Sequence, residues 1–209
     1  MLSCDFGYAE SPADMKVAIA HKGFVWIEVE IKGKAAHTSV PENGVDAIAH
    51  TAKVMSSLEK FQQKLSARIH PLLGTPKVHA STIEGGTDWS IVTGRRVLRL
   101  ERRTLPGEST SSVMAEIREI LARIKLENPD FDAVARNPYD VPPLETDSSE
   151  PIVDLLRRVV SEVTGEQQPP IGLPYWTDGA LLSNCATIPN ASLALGTSGS
   201  LILRRVYQP

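Results

Sequence analysis

Cysteine is scarce in this sequence, as are long apolar runs. The only thiols among 209 residues are Cys4 and Cys185, which excludes a disulfide framework and a thiolate zinc site and predicts free thiols in a reducing compartment. No apolar stretch approaches the ~20 residues that a membrane span needs. The first residues, Met-Leu-Ser-Cys-Asp-Phe, lack the charged and apolar regions of a signal peptide. We therefore expect a cytoplasmic protein with no membrane partner.

The sequence also has no excess of positive charge. Lys and Arg together number 22 against 25 acidic residues, giving a net charge of -3 and a pI near 6.0. The basic residues are interspersed with acidic ones, so no basic stripe is available for a phosphate backbone. Nucleic acid is excluded as the expected partner, and the 42% hydrophobic content predicts one or two globular cores.

Hydrophobic periodicity predicts an alternation of strands and helices in the first two thirds of the chain. Residues 24–31 alternate apolar and polar positions, as a half-buried strand does, and apolar residues from Val45 to Leu65 recur at three- and four-residue steps, as in an amphipathic helix. Strands are predicted at 77–84, 95–102 and 130–137, and a second helix follows the Ser/Thr-rich residues 109–112. This β-α-β-β-α-β order is typical of a ferredoxin-like domain, an antiparallel sheet with both helices on one face.

We assign this α+β domain to residues 17–138. Residues 1–16 and 139–209 then flank it, with a Pro-rich linker at 138–143. In the second flank, Asp147-x-x-Glu150 before Pro151 predicts a helix start, and the loop 169–177, a helix at about 178–186 and the strand 191–195 follow. This α/β flank is too small to close its own sheet.

Single residues give weak evidence of chemistry. His37 lies in a turn of small residues, where a histidine is more often a surface side chain than a catalytic group. Arg102 and Arg103 end a strand, and such a pair is usually a solvated edge, although an arginine fork is also suited to a substrate carboxylate. Gly85-Gly86-Thr87 fits a hairpin or bulge better than a phosphate loop. The other histidines, His21, His50, His70 and His79, are interpreted as structural.

Taken in order, the motifs resemble a family of co-catalytic zinc amidohydrolases and metallopeptidases that includes acetylornithine deacetylase, succinyl-diaminopimelate desuccinylase, aminoacylase and carboxypeptidase G. The resemblance covers nearly the whole chain. It is carried by Glu10-Ser-Pro12, Ala20-His-Lys-Gly23, Gly33-Lys-Ala-Ala-His37-Thr-Ser39-x-Pro41-x-x-Gly44, Ile83-Glu-Gly-Gly-Thr87, Leu100-Glu-Arg-Arg103-x-Leu-Pro-Gly-Glu108 and Trp176-Thr-Asp178.

The resemblance implies a role for five residues. Glu10 matches a metal-ligating carboxylate. His37 matches a histidine of the dimerisation lid that hydrogen-bonds the oxyanion in the partner subunit's site. Arg103 matches the lid arginine that holds the substrate carboxylate, Asp178 matches the wall of the substrate pocket, and Gly196 matches the glycine loop beside that wall. The expected function is hydrolysis of an amide bond in N-acyl amino acids or small peptides by a homodimer with two zinc ions, for which cobalt or manganese could substitute.

Departures from the family pattern are concentrated in the metal site. The chain has no His-x-Asp and no Glu-Glu pair with its general base. It also has no final metal-binding histidine, since Ser200-Leu-Ile-Leu-Arg-Arg-Val-Tyr-Gln-Pro209 stands where that residue is expected. Tight zinc binding requires three or four convergent donors. We therefore expect that this chain alone is an inactive fragment that retains no zinc.

Two other functions remain open at this stage. The chain could be a non-catalytic dimerisation module, paired through its first helix and an edge strand near His37. It could also be a small-molecule-binding domain of the ferredoxin-like regulatory type, although that leaves the residues from 140 onwards without a role.

Overall fold

The structure is a computed structural model that describes residues 15–186 and 189–195. The chain divides into two compact units. Gly23–Pro142 form one of them, which we call the lid unit. Of the described residues, those up to Lys22 and those from Pro143 onwards form the other, which we call the flanking unit.

The elements alternate along the chain. The strands are β1 (Met15–His21), β2 (Gly23–Lys32), β3 (Ala36–His37), β4 (Lys77–Glu84), β5 (Ile91–Val92), β6 (Arg95–Thr104), β7 (Asp132–Val141), β8 (Leu144–Glu145), β9 (Ile171–Leu173) and β10 (Ser192–Leu195). The helices are α1 (Ala47–Leu65), α2 (Thr110–Glu127), α3 (Pro151–Thr164) and α4 (Gly179–Ala186), with a short 3-10 helix at Pro41–Asn43. Among the helices of the described segments, none is long and apolar enough to cross a bilayer.

The lid unit is built on a four-stranded sheet. Its strand order is β4-β6-β2-β7, and every neighbouring pair is antiparallel. Both helices, α1 and α2, contribute to the core on one face of this sheet. This arrangement confirms the β-α-β-β-α-β prediction.

Strand β2 shows why the sequence forms this sheet. Val25, Ile27, Val29 and Ile31 are each at most 2% exposed, because alternate side chains point to the helical face. The intervening side chains lie on the opposite face, which we call the outer face. The core also contains Ala47, Val54, Leu58, Leu98, Leu100, Val113, Met114, Ile117, Leu121, Ile124 and Phe131.

Both lid helices begin at a side-chain cap. The Asp46 carboxylate accepts a hydrogen bond from the Ile48 N–H at 2.8 Å, and Ser109 and Ser112 form a reciprocal capping box at the start of α2. Each cap satisfies N–H groups that have no partner within the helix. The Ser/Thr-rich residues 109–112 thus act as the sequence predicts.

The flanking unit has its own four-stranded sheet. Strand β1 lies between β10 and β8, both antiparallel to it, and β9 runs parallel to β1. Helix α3 packs on this sheet through a core of Val17, Ile19, Val153, Val160 and Ala191. The strands after residue 140 therefore complete a sheet around β1, a strand that the sequence pattern did not reveal.

The unit boundaries differ from the sequence-based assignment of 1–16, 17–138 and 139–209. Residues 17–21 are part of β1 and pair with the flanking strands. At the other end, β7 continues to Val141, so the linker expected at 138–143 is mostly strand. The sequence boundary was drawn at a proline cluster, yet Pro138 lies within an edge strand, where a missing N–H is tolerated.

The predicted start of α3 is right in position but wrong in mechanism. Glu150 is the N-cap and makes no side-chain cap hydrogen bond. The Asp147 carboxylate instead accepts from the N–H and hydroxyl of Ser149, and these bonds lower the pKa of Asp147. Pro151 at the first helical position begins the helix, since its fixed φ suits that position.

Candidate functional site

Arg103 lies near the end of β6, on the outer face of the lid sheet. Its Nε donates to the Glu101 carboxylate at 2.7 Å, and its guanidinium carbon lies 5.2 Å from the centre of the Phe24 ring. No described residue accepts a hydrogen bond from the two terminal nitrogens, and the side chain is 31% exposed. A carboxylate could therefore bind both terminal N–H groups end-on, in the bidentate geometry typical of arginine.

Arg102, the neighbour of Arg103, points the other way and is completely buried. One terminal nitrogen donates to the Glu108 carboxylate at 2.6 Å, and the other donates to the carbonyl of Arg103. Glu108 also accepts from the Leu105 N–H at 2.9 Å and from Arg68 at 2.8 Å. This network ties the end of β6 to the turn before α2, so Arg103 is attached to rigid backbone.

His37 is exposed and lies on β3, which pairs with β5. Its Nδ1 accepts a hydrogen bond from the Ser39 N–H at 3.1 Å and lies 2.8 Å from the Ser39 hydroxyl. Since a backbone N–H can only donate, Nδ1 carries no proton and the neutral ring is protonated at Nε2. The ring therefore presents a hydrogen-bond donor outward, as stabilisation of an oxyanion requires.

Close backbone packing holds the His37 turn in place. Lys34 and Val45 exchange both backbone hydrogen bonds at 2.9 Å, and the Gly33 N–H donates to the Gly94 carbonyl at 2.8 Å. A Cβ at Gly33 would lie 2.1 Å from the Val45 carbonyl oxygen. Glycine is required there because the two chain segments approach too closely for any side chain.

The structure does not bring His37 and Arg103 together within one lid unit. Arg103 is opposite Phe24, at the start of β2, whereas β3 follows the other end of β2 at Lys32. Eight residue steps along a strand span about 26 Å at ~3.3 Å per residue. These two side chains of one chain therefore cannot contact the same small substrate.

Asp178 belongs to the flanking unit and is exposed at the start of α4. Its carbonyl accepts the N–H of Leu181 at 2.9 Å. The adjacent Gly179 lies against Asn190, whose Oδ1 would be 2.6 Å from a Cβ on that glycine. Within the described residues, buried polar atoms of His21, Trp176, Thr177, Asn190 and Ser192 in this unit lack a hydrogen-bond partner, which is uncommon in folded proteins.

Two predicted site residues, Glu10 and Gly196, lie outside the described residues. Within segments 15–186 and 189–195, no group of three or more His, Cys, Asp or Glu residues is placed to hold a metal ion. This part of the chain therefore does not fit a zinc site, and we assign no chemical step to a metal ion here.

The remaining histidines have structural surroundings. His21 is buried in β1, where burial lowers its pKa, and its ring lies edge-on to Trp176 at 6.4 Å. His50 packs against Phe131 at 5.3 Å. Nδ1 of His70 accepts two backbone N–H groups of the following turn. His79 is exposed on the edge strand β4, beside a cavity of about 360 Å³ between β4 and α1.

Comparison with known proteins decides the family. A family profile described as the M20 peptidase dimerisation domain matches residues 19–129. The chain belongs to the M20 metallopeptidase family. The profile covers most of the lid unit.

Curated relatives of this chain are acetylornithine deacetylases. The protein of Buchnera aphidicola subsp. Schizaphis graminum is 27% identical over 152 residues, which are 71% of this chain and 40% of the relative. That of Myxococcus xanthus is 30% identical over 125 residues, 56% of this chain and 32% of the relative. The chain thus spans less than half the length of these relatives, and it is similar to hydrolases.

Solved structures share the fold. Aminopeptidase PepT from Bacillus cereus aligns with a TM-score of 0.70 at 22% identity, covering 93% of this chain and 48% of that one. A tripeptidase from Staphylococcus aureus aligns with a TM-score of 0.68 at 21% identity, covering 95% and 50%. Both confirm the fold of M20 peptidases for nearly the whole chain.

Sequence reasoning missed the residues that orient the site. Glu101 holds Nε of Arg103, and Ser39 fixes the tautomer of His37. The spacing of two residues in each pair was available in the sequence, since on a strand i and i+2 share one face. Trp26 and Tyr139 were not recognised because Trp26 becomes a neighbour of Glu101, and Tyr139 a neighbour of Trp26, only through pairing between strands.

Proposed function

We propose that this chain supplies the lid of a metal-dependent hydrolase that cleaves the amide bond of N-acyl amino acids or small peptides. In this function Arg103 binds the substrate carboxylate through its two terminal nitrogens. His37 donates a hydrogen bond from Nε2 to the carbonyl oxygen as negative charge develops on it. The zinc ions that the family resemblance implies would be held by groups outside the described residues.

One observation carries the proposal: Arg103 lies beside Phe24 at the start of β2, whereas the turn that carries His37 follows the other end of β2, and the strand between these two ends spans about 26 Å at ~3.3 Å per residue. For both to contact one substrate, Arg103 and His37 must come from two subunits. We therefore propose a homodimer in which each lid contributes His37 to the site of its partner.

The outer strands of the lid sheet differ in their suitability for the dimer contact. Strand β7 carries Pro138, which cannot donate a hydrogen bond to a further strand. Strand β4 contains no proline and lies beside α1. The sequence favours an edge strand near His37 for the dimer contact. Strand β3 at that position is two residues long and lies outside the main sheet, so β4 offers the longer edge. We propose antiparallel pairing of two β4 strands around a two-fold axis.

The dimer contact is tested by Ser81→Lys. Ser81 is exposed near the middle of β4 and falls at the register shift, so it has no partner residue on β6. Around a two-fold axis the new lysine would approach its own copy, and light scattering after size-exclusion chromatography should show a monomer. Ser148→Lys, at an exposed position of the flanking unit, is the matched control. A dimer that survives Ser81→Lys would overturn this contact.

Because this chain alone is expected to be inactive, hydrolysis is tested on the metal-binding hydrolase to which the lid is proposed to belong, with a panel of N-acetyl and N-succinyl amino acids, added zinc or cobalt, and metal content measured on the same sample. Amine release that is lost in both Arg103→Gln and His37→Ala supports the proposed function. A mixture of these two inactive variants should regain part of the activity, because a mixed dimer contains one site with both side chains intact. Activity that is unchanged in either variant would contradict the assignment.

A second candidate is a non-catalytic dimerisation module, favoured by the complete lid fold. It predicts a dimer that neither hydrolyses the panel nor binds N-acetyl amino acids. Carboxylate binding that depends on Arg103 would argue against it.

A further inference from the structure

Three aromatic rings lie beside Arg103 on the outer face of the lid sheet. Phe24 stacks on Trp26 at 5.5 Å between ring centres, and Tyr139 lies 5.4 Å from Trp26 and 6.0 Å from Phe24. Trp26 is 46% exposed and Tyr139 is 50% exposed. The rings form a continuous surface that we call the aromatic platform.

The platform and Arg103 are joined by one carboxylate. Glu101 accepts Nε of Arg103 with one oxygen and the indole N–H of Trp26 with the other, at 2.7 and 3.1 Å. Trp26 stands directly between Glu101 and Tyr139 across the strands, and Phe24 stands opposite Arg103. Glu101 therefore fixes both a cation and an aromatic ring relative to each other.

The position of Tyr139 depends on an irregularity in β7. The register with β2 shifts between Trp26 and Glu28, and the side-chain amide of Asn137 donates to the carbonyls of Trp26 and Tyr139 at 2.9 and 2.8 Å. Such bulges redirect side chains near functional sites. Here the bulge sets Tyr139 beside Trp26.

The chemistry of this surface suits one class of ligand. Exposed tryptophan and tyrosine rings next to an arginine are typical of recognition surfaces, since the rings offer rigid apolar area and the guanidinium offers charge. In an aromatic amino acid, a single methylene separates the ring from the carbon that bears the carboxylate. A carboxylate on the free edge of Arg103 would place such a ring against the aromatic platform.

We propose that Trp26, Tyr139 and Phe24 form a specificity subsite for the aromatic side chain of a substrate whose carboxylate binds Arg103. The preferred ligands are then N-acyl aromatic amino acids, or short peptides that end in one. This inference rests on the proposed role of Arg103 as the carboxylate anchor. It adds the substrate class that this anchor serves.

The test measures binding to the 209-residue chain by ligand-observed NMR titration. The probes are N-acetylphenylalanine, N-acetylalanine and the amide of N-acetylphenylalanine, which lacks the carboxylate. We expect N-acetylphenylalanine to bind best. Trp26→Leu should weaken it about 3- to 10-fold, the range expected for loss of one aromatic pair, and should leave N-acetylalanine within about twofold.

Because Trp26 also bonds Glu101, a second variant keeps that bond. Tyr139→Leu removes a ring that has no contact with Glu101 and should give the same selective loss, whereas Tyr139→Phe should give none. The matched control for tryptophan is Trp89→Leu, since Trp89 is fully exposed elsewhere in the lid unit. It should change neither affinity.

The outcomes separate the two proposals. Arg103→Gln should abolish binding of both acids, and if it does not, the anchor itself is wrong. If Arg103→Gln abolishes binding while Trp26→Leu and Tyr139→Leu leave the ratio of the two acids unchanged, the subsite is overturned and the anchor stands. Equal affinity of the wild-type chain for N-acetylalanine and N-acetylphenylalanine would overturn the subsite as well.

Discussion

The backbone N–H of Ser39 donates to Nδ1 of His37 across 3.1 Å. This bond predicts a single neutral tautomer, protonated at Nε2, in the free protein. Nitrogen chemical shifts from long-range proton–nitrogen NMR spectra should show Nδ1 as the unprotonated atom. Ser39→Ala keeps the backbone donor and should leave the tautomer unchanged. Detection of a protonated Nδ1 in the neutral ring would remove the physical basis for His37 as an outward donor.

Removal of Glu108 should destabilise the lid more than removal of Arg102. In Glu108→Ala the completely buried Arg102 loses its close carboxylate, and the nearest remaining one is that of Glu116 at 3.9 Å, while the hydrogen bond to the Arg103 carbonyl remains. An uncompensated buried charge typically costs about 3–5 kcal/mol. In Arg102→Met, Glu108 keeps Arg68 and the Leu105 N–H, so the loss should be smaller.

Urea denaturation measures the free energy of unfolding of Glu108→Ala and Arg102→Met. Glu119→Ala is the control, because its pair with Arg123 is exposed within α2 and worth only about 0.3–0.5 kcal/mol. Equal losses for Glu108→Ala and Glu119→Ala would mean that the network does not hold the turn after β6.

Lid stability should fall in mild acid because of His50. Burial is the main cause that lowers the pKa of His50 below its ordinary value of 6.5, and the nearby Lys53 lowers it further. The unfolded chain then binds more protons than the folded one below that value. The stabilisation is complete above pH 6.5 and is lost as the pH falls towards the folded pKa.

The measurement compares urea midpoints near neutral pH and near pH 5.5 in the wild type and in His50→Met. His21 also has a lowered pKa, but it is present in both proteins and cancels in the comparison. The variant should lose less stability in acid than the wild type. An identical loss in the two proteins would show that His50 does not titrate on unfolding.

Gly33→Ala should distort the His37 turn. The new Cβ would lie 2.1 Å from the Val45 carbonyl oxygen, and relief of the clash requires movement of one of the two chain segments. Forced insertion of a methyl group into packed structure costs about 1–3 kcal/mol. Thermal unfolding and hydrogen exchange at residues 33–45 should both report the change.

Gly107→Ala is the control for Gly33→Ala. Gly107 has a φ of +86° but no atom within 4 Å of a built Cβ, so the substitution strains the backbone without a clash. It should leave hydrogen exchange at residues 33–45 unchanged. If Gly33→Ala also leaves hydrogen exchange at residues 33–45 unchanged, the close approach of the two chain segments does not hold the turn.

Much of the lid could be predicted because its signals are local. The alternation of apolar residues in β2 and their three- and four-residue spacing in α1 follow directly from burial of one face. Ser109 is the N-cap of α2, and a serine at that position predicts a helix start. The flanking sheet could not be predicted in this way. Strand β1 has five consecutive buried residues at its end, and its partners lie far along the chain.

The candidate site was predictable only in part, for the same reason. Family motifs placed Arg103 and His37 on the lid. Their separation at opposite ends of β2 depends on the register of β2 with β6, which no local pattern encodes. The aromatic platform depends on the pairing of two strands, β2 and β7, so Phe24, Trp26 and Tyr139 do not stand out in the sequence.

The lid unit is continuous in the chain, whereas the flanking unit is made of two separated segments, and this difference has a consequence for folding. Strand β1 cannot pair with β8 until the whole of Gly23–Pro142 has been synthesised, and closure of so long a loop carries an entropic cost that slows folding. A folded lid removes that cost, because Phe24 and Val141 pair at its two ends and leave His21 and Leu144 side by side. The lid should thus fold first and bring together the distant segments that form the flanking sheet.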